Sequence, residues 1–101
     1  MIGEALRLLR IFNGYKSAEL ADKLEISQSY VSEIENNKKQ PTMDILDKYA
    51  IVFDMKKSTL LLFAESLEED HQLKKDKKQR VAWAGVKLLK ILEKVGNLDD
   101  E

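Results

Sequence analysis

The stretch "SAELADKLEISQSYVSEIEN", Ser17 to Asn36, keeps an apolar rhythm and then interrupts it. Leu20, Ala21 and Leu24 fall at helical spacing, and so do Val31 and Ile34, with Ile26 between the two sets. Two short helices joined by a tight turn at Glu25–Ile26 satisfy that spacing, and Ser17 and Ser27 have the short hydroxyl that caps a helix start. Ala21 then lies where the helices cross, small enough to let the backbones approach. Leu20, Leu24, Ile26, Val31 and Ile34 point inward. The second helix leaves Gln28, Ser29, Ser32, Glu33 and Asn36 outside, mostly short or amide side chains rather than the i,i+4 Glu/Lys pairs of a solvated face.

Outward from this pair the chain continues in helices. "IGEALRLLRIF" places Ile2, Ala5, Leu6, Leu9 and Phe12 on one face, and Asn13–Gly14 closes it with turn chemistry. After "NNKKQP", Pro41 suits a helix entry with Thr42 as a competing cap, followed by Met43, Leu46, Tyr49 and Ala50. Ser58 opens a fifth helix, "TLLLFAESLE". "EEDHQLKKDKKQR" is a charged bridge that suits either a linker or an exposed helix with pairs such as Asp70–Lys74, so one helix from Ser58 to Val95 stays open. In "QRVAWAGVKLLKILEKV", Val81, Ala84, Leu88, Ile91, Leu92 and Val95 form an apolar stripe with Arg80, Lys87, Lys90 and Lys94 opposite. Trp83 falls on the basic face, in reach of a cation–π contact with Lys87.

The composition sets limits. A chain of 101 residues holds one domain with room for an appendage, and 44% apolar with 35% charged residues is ordinary for a soluble helical protein. One proline and four glycines argue against a many-stranded sheet. The absence of cysteine excludes disulfides and thiolate metal sites. The single histidine, His71, makes an imidazole-rich metal site or a Ser–His–Asp relay improbable. No membrane span or signal pattern is visible, which points to the cytoplasm. No cofactor and no metal are implied, and no nucleophile–base pair or phosphate loop suggests an enzyme. The formal charge is −1, and residues 1–64 carry nine Lys/Arg against nine Asp/Glu, so any phosphate-binding surface must be local.

A helix with a short polar outer face fits the DNA major groove, which admits one α-helix whose N-terminal residues reach base edges. In this context Ser17–Asn36 resembles the helix-turn-helix of the lambdoid phage repressor and Cro proteins (the Xre type). The likeness lies in small Ala21, Ile26 in the turn, and Val31 and Ile34 at the recognition helix's core positions. It extends over about residues 3–65, including the closing Glu35–Asn36 and Pro41 segment. The resemblance implies an all-α fold, a five-helix repressor-like DNA-binding domain over residues 1–65. Residues 66–78 would be the charged bridge, and 79–96 an amphipathic helix. It implies base contacts by Gln28, Ser29, Ser32 and Glu33. Phosphate contacts would come from Lys16, Ser17, Tyr30, Asn36, Asn37, Lys38 and Lys39. Arg10 and Glu35 fall where the family pairs a first-helix arginine with a recognition-helix glutamate. Two positions depart from the family pattern: Glu25 and Asn37 stand where glycine is usual.

Domains of this kind contact few base pairs, and dimers on half-sites about one turn apart supply the rest. The stripe Val81, Ala84, Leu88, Ile91, Leu92 and Val95, with Trp83, is therefore expected at an interface with a second copy or a protein partner, folding back on the first five helices being the other way to cover it. The functions implied are a transcription regulator, in the first place a repressor, binding double-stranded DNA as a homodimer. The alternatives are a DNA-binding antitoxin whose residues 66–101 hold a toxin, and an interaction module without DNA binding.

Overall fold

In the computed structural model, residues 2–69 and 76–99 are described, with the side chains of 96–99 left aside. These residues form six helices and no strand: α1 (Ile2–Phe12), α2 (Ser17–Leu24), α3 (Gln28–Glu35), α4 (Met43–Val52), α5 (Lys57–Glu69) and α6 (Lys77–Asp99). None is long and apolar enough to cross a membrane. Whether α5 and α6 are joined as one helix falls outside the described residues, as does the Asp70–Lys74 pair.

The helix starts differ in detail from the sequence expectation. Ser27 caps α3, its Oγ accepting from the Tyr30 N–H at 3.0 Å, and Thr42 caps α4 through Oγ1 and the Ile45 N–H at 3.2 Å. For α2 the cap position is Lys16, so Ser17 is the first helical residue; the Lys16 N–H donates to Glu19 Oε1 at 2.8 Å. Ser58 likewise lies inside the first turn of α5, which starts at Lys57.

The first four helices end alike. Gly14, Glu25, Asn37 and Asp54 all have φ between +55° and +75°. The N–H of the following residue reaches back to a carbonyl inside the helix: Tyr15 to Arg10, Ile26 to Ala21, Lys38 to Glu33 and Met55 to Ala50, at 2.8–3.1 Å. Each is a Schellman closure, which satisfies orphan carbonyls and turns the chain sharply enough for the next helix to pack. Only one of the four is glycine.

α1 is the central element, touching α3, α5 and α6. Leu6, Leu8, Leu9, Leu20, Leu24, Val31, Ile34, Tyr49, Leu60, Phe63 and Leu67 are sealed from solvent around it. Burial of Leu8 has a specific cause. It lies between Glu4 and Phe12 on one row of α1, and both of those meet α6. Glu4 accepts from Arg80 Nε and Nη2 at 2.5 and 2.6 Å, and the Phe12 ring lies 3.7 Å from where a Cβ on Gly85 would stand.

This docking corrects the expectation for the terminal helix. Ala84, Leu88 and Ile91 are buried in the common core of one chain, and Val81, Val95 and Trp83 pack half-buried against it. They are not free to form a seam with another chain; of the expected interface residues only Leu92 remains exposed. Folding back wins because each large aliphatic side chain covered adds about 1.5–3 kcal/mol, and the Arg80–Glu4 fork fixes the approach. Arg80 lies over the Trp83 ring, 5.7 Å from its centroid. The helix also runs from Lys77 to Asp99, beyond the expected 79–96 at both ends.

Candidate nucleic-acid interface

α2 and α3 cross at Ala21, which is buried, and the three-residue connection Glu25–Ile26–Ser27 holds the angle. Glu25 adopts φ 61°, ψ 40°, the left-handed conformation that costs a non-glycine residue on the order of 1 kcal/mol. Lys48 reinforces the corner from α4: its Nζ donates to the Leu24 carbonyl at 3.3 Å and lies 3.6 Å from Glu25 Oε1. Lys48 had no local signal in the sequence, since the carbonyl it caps is 24 residues away.

The back of α3 is fixed by Arg10. Its Nε and Nη2 donate to the two carboxylate oxygens of Glu35 at 2.7 and 3.0 Å, and Nη1 donates to the Tyr15 carbonyl at 3.1 Å. Side-chain exposures of 17% and 7% make this a part-buried bidentate pair, which gains directionality as well as charge. Tyr49 sits beside it with its hydroxyl buried and without a hydrogen-bond partner among the described residues. Burial, with Glu35 adding to it, pushes the Tyr49 phenol well above its usual pKa, so it stays neutral.

The end of α3 is tied to the start of α1. The Gly3 N–H donates to Asn37 Oδ1 at 3.1 Å. A Cβ on Gly3 would fall against the Ile34 and Glu35 carbonyls, so only glycine allows this approach. Asn37, expected to grip phosphate, caps α1 with its side-chain oxygen, and its own φ of 61° closes α3. Asn36 stays exposed, its Nδ2 donating along the outer face of α3 to the Ser32 carbonyl at 2.9 Å and to Ser32 Oγ at 3.3 Å.

The outward side of α3 is a ridge of Gln28, Ser29 and Ser32, continued by the cap residue Asn36, all exposed, with Glu33 half-buried at its edge. Gln28 Nε2 donates to Ser17 Oγ at 3.0 Å, which ties the first residue of α3 to the first residue of α2. Lys39 Nζ lies 3.5 Å from Glu33 Oε1 and 5.6 Å from the centroid of the Tyr30 ring, so the acid of the ridge has a cation beside it. Lys16 and Lys38 are exposed on either side. The structure thus brings the expected base-facing residues onto one surface with a lysine at each flank. Asn36 and Asn37 are exposed beside them, Asn36 Nδ2 bonded to Ser32 and Asn37 Oδ1 to Gly3.

A rigid two-helix corner with a short polar outer ridge is the helix-turn-helix unit. Residues 6–60 match the helix-turn-helix family model, and the chain belongs to that family, in its Xre type. It is 38% identical over 74 residues to the HTH-type transcriptional regulator SinR of Bacillus licheniformis, an alignment spanning 72% of this chain and 67% of that protein. The crystal structure of SinR, a master regulator for biofilm formation, in complex with DNA is 39% identical. It superposes with a TM-score of 0.57 over 60% of this chain and 98% of that one. The structure of the complex of the SinR and SinI proteins is similar over the whole of both chains, at 25% identity and a TM-score of 0.57.

Proposed function

We propose that this protein is a sequence-specific regulator of transcription, a repressor that lays α3 in the major groove of double-stranded DNA. It acts in the cytoplasm as a dimer on a pseudo-palindromic operator, and binding rather than catalysis is its activity. In this reading residues 1–65 are the DNA-binding unit and the terminal helix couples protomers. The observation that carries it is the ridge Gln28–Ser29–Ser32, exposed on top of a corner whose underside is locked by Arg10–Glu35 and the buried leucines. The likeness to SinR, which has been solved on DNA, supports it.

The chemistry of the ridge suits base reading. With one Nε2 hydrogen given to Ser17, Gln28 keeps a second N–H and its carbonyl for the paired acceptor and donor on an adenine edge. Ser29 and Ser32 add short donors, and Glu33 can accept from cytosine N4 once Lys39 moves to a phosphate. Lys16 on one flank and Lys38 on the other are placed to grip the backbone on both sides of the groove.

Selection of bound sites from random duplex DNA, followed by affinity measurements on the selected operator, tests this. Gln28→Ala should cost about 1–3 kcal/mol and relax preference at one base of each half-site. Lys38→Ala should weaken all sequences alike and reduce the salt slope by about 1 per protomer. Selected sites lacking two-fold symmetry, or a Gln28→Ala variant with unchanged base preference, would count against the assignment.

A further inference from the structure

We propose that Asn36 is a positioning residue for base recognition. It holds the Ser32 hydroxyl as a hydrogen-bond donor, so that α3 favours an acceptor base, guanine or thymine, beneath Ser32 and disfavours cytosine. The inference rests on the reading of α3 as the groove helix and adds to it the polarity of one contact.

Both side chains are exposed and lie one turn apart on the outer face of α3, Ser32 within the helix and Asn36 as its C-terminal cap. Asn36 Nδ2 lies 2.9 Å from the Ser32 carbonyl oxygen and 3.3 Å from Ser32 Oγ. The carbonyl fixes which way the amide faces: it carries no proton, so only the NH2 end of the amide can bond to it. The same nitrogen then donates to Oγ, and towards Asn36 the hydroxyl acts as acceptor. A serine inside a helix often donates to the carbonyl four residues back, which here belongs to Gln28. Ser32 makes no such bond, and its proton has no acceptor among the described residues.

A hydroxyl has one proton and two acceptor lone pairs. With one lone pair filled by Asn36, donating to a base leaves the other lone pair unused, which costs little. Accepting from a base would orphan the proton once DNA has displaced water, and an unpaired donor is the costlier fault. Accepting from Asn36 also polarises the O–H bond and strengthens its donation. In the major groove guanine shows N7 and O6 and thymine shows O4, all acceptors, whereas cytosine shows only its N4 donor and adenine shows both kinds. Ser29 provides the contrast. It is equally exposed and its side chain makes no hydrogen bond among the described residues, so its hydroxyl is free to donate or to accept.

Site selection by the full chain from random duplex DNA, followed by fluorescence anisotropy on duplexes varied at single base pairs, tests this. Ser32→Ala should flatten the preference at one pair of each half-site, which identifies the pair that the hydroxyl reads. Wild type should favour one orientation of that pair by about three- to tenfold. Asn36→Ala should bring the ratio below about twofold, since the hydroxyl is then free to turn. Asn36→Asp puts an acceptor beside Oγ, which draws the proton to itself and leaves lone pairs outward. The preference should then reverse, guanine or thymine giving way to cytosine or adenine on the same strand. Only a wild-type donor responds in this way, because the aspartate forces acceptance. In a Ser32→Ala background neither Asn36 variant should alter any base preference, and the pair that responds to Ser29→Ala should ignore both. Every variant should keep its helical signal, since these side chains are exposed. An Asn36→Ala variant that keeps the wild-type ratio overturns the proposal, as does one that weakens all sequences alike, the signature of a lost phosphate contact. A change of preference that persists without Ser32 also overturns it, by making Asn36 itself the base reader. A chain that selects sites but is indifferent to Ser32→Ala removes the proposal and leaves the DNA reading standing, whereas one that selects none removes both.

Discussion

Arg10 and Glu35 carry more than their distance suggests. The pair is bidentate, mostly buried, and the only direct tie between the last turn of α1 and the end of α3 that involves full charges among the described residues. Removing one partner leaves the other desolvated and unpaired, so Glu35→Ala should lower the unfolding free energy by roughly 3 kcal/mol or more. Chemical denaturation measures it. Glu33–Lys39 is exposed by comparison, and Lys39→Ala should stay within about 1 kcal/mol. The second fork, Arg80–Glu4, is part-buried and makes stability depend on pH. The Arg80 hydrogen bonds hold the Glu4 carboxyl below its usual value of 4.5. A carboxylate with a depressed folded pKa contributes stability that is complete above the unfolded value and lost as pH falls through the folded one. Melting temperatures of wild type should therefore drop more steeply than those of Glu4→Gln below pH 4.5, while the two curves run parallel above neutrality. Parallel curves at low pH would show that the fork does not hold in solution.

At the scale of the elements, the four left-handed closures make a matched experiment. Glu25 and Gly14 occupy the same conformation, one with a side chain and one without. Nothing lies within 4 Å of a Cβ built on Gly14, so Gly14→Ala meets only the backbone penalty, about 1 kcal/mol. Glu25→Gly should relieve the same penalty, offset by the exposed contact with Lys48 and a looser unfolded chain. Melting should move in opposite directions for the two variants, by up to several °C. Equal shifts of one sign would mean that the turn at Glu25 differs. These elements also show how far the sequence could be read. The α2–α3 corner was legible because Leu20, Ala21, Leu24, Val31 and Ile34 keep a helical period within twenty residues, and Ser27 and Thr42 cap locally. The Arg10–Glu35 pair came through family likeness rather than periodicity. The docking of α6 was not legible, since its stripe can be covered by either its own chain or another. The overlooked signal was on α1: Leu8 and Ile11 lie off the apolar face of Ile2, Ala5, Leu6 and Leu9, and a second apolar side on a short helix needs a second cover. The fate of Asn37 was equally out of reach, because it finds its partner at Gly3, 34 residues away.

For the molecule as a whole, the balance of charge sets how it should meet a polyanion. Net charge is −1, so no long-range field draws DNA in, and attraction depends on lysines that flank α3. Lys16 and Lys38 are exposed, whereas Lys39 is shared with Glu33, an acid at the edge of the α3 ridge itself. Each phosphate neutralised releases counterions, with a slope of about −0.9 per contact in a plot of log affinity against log salt. Two unshared lysines in each protomer, with a partial contribution from Lys39, give a dimer a slope of about −4 to −5. Fluorescence anisotropy on the selected operator over a range of salt concentrations reads the slope directly. Glu33→Gln should steepen it by up to about 1 per protomer, by freeing Lys39 for a phosphate, and should raise affinity for non-specific DNA more than for the operator. A wild-type slope beyond about −8 would require phosphate contacts that these lysines cannot supply, and would move the binding surface away from α3.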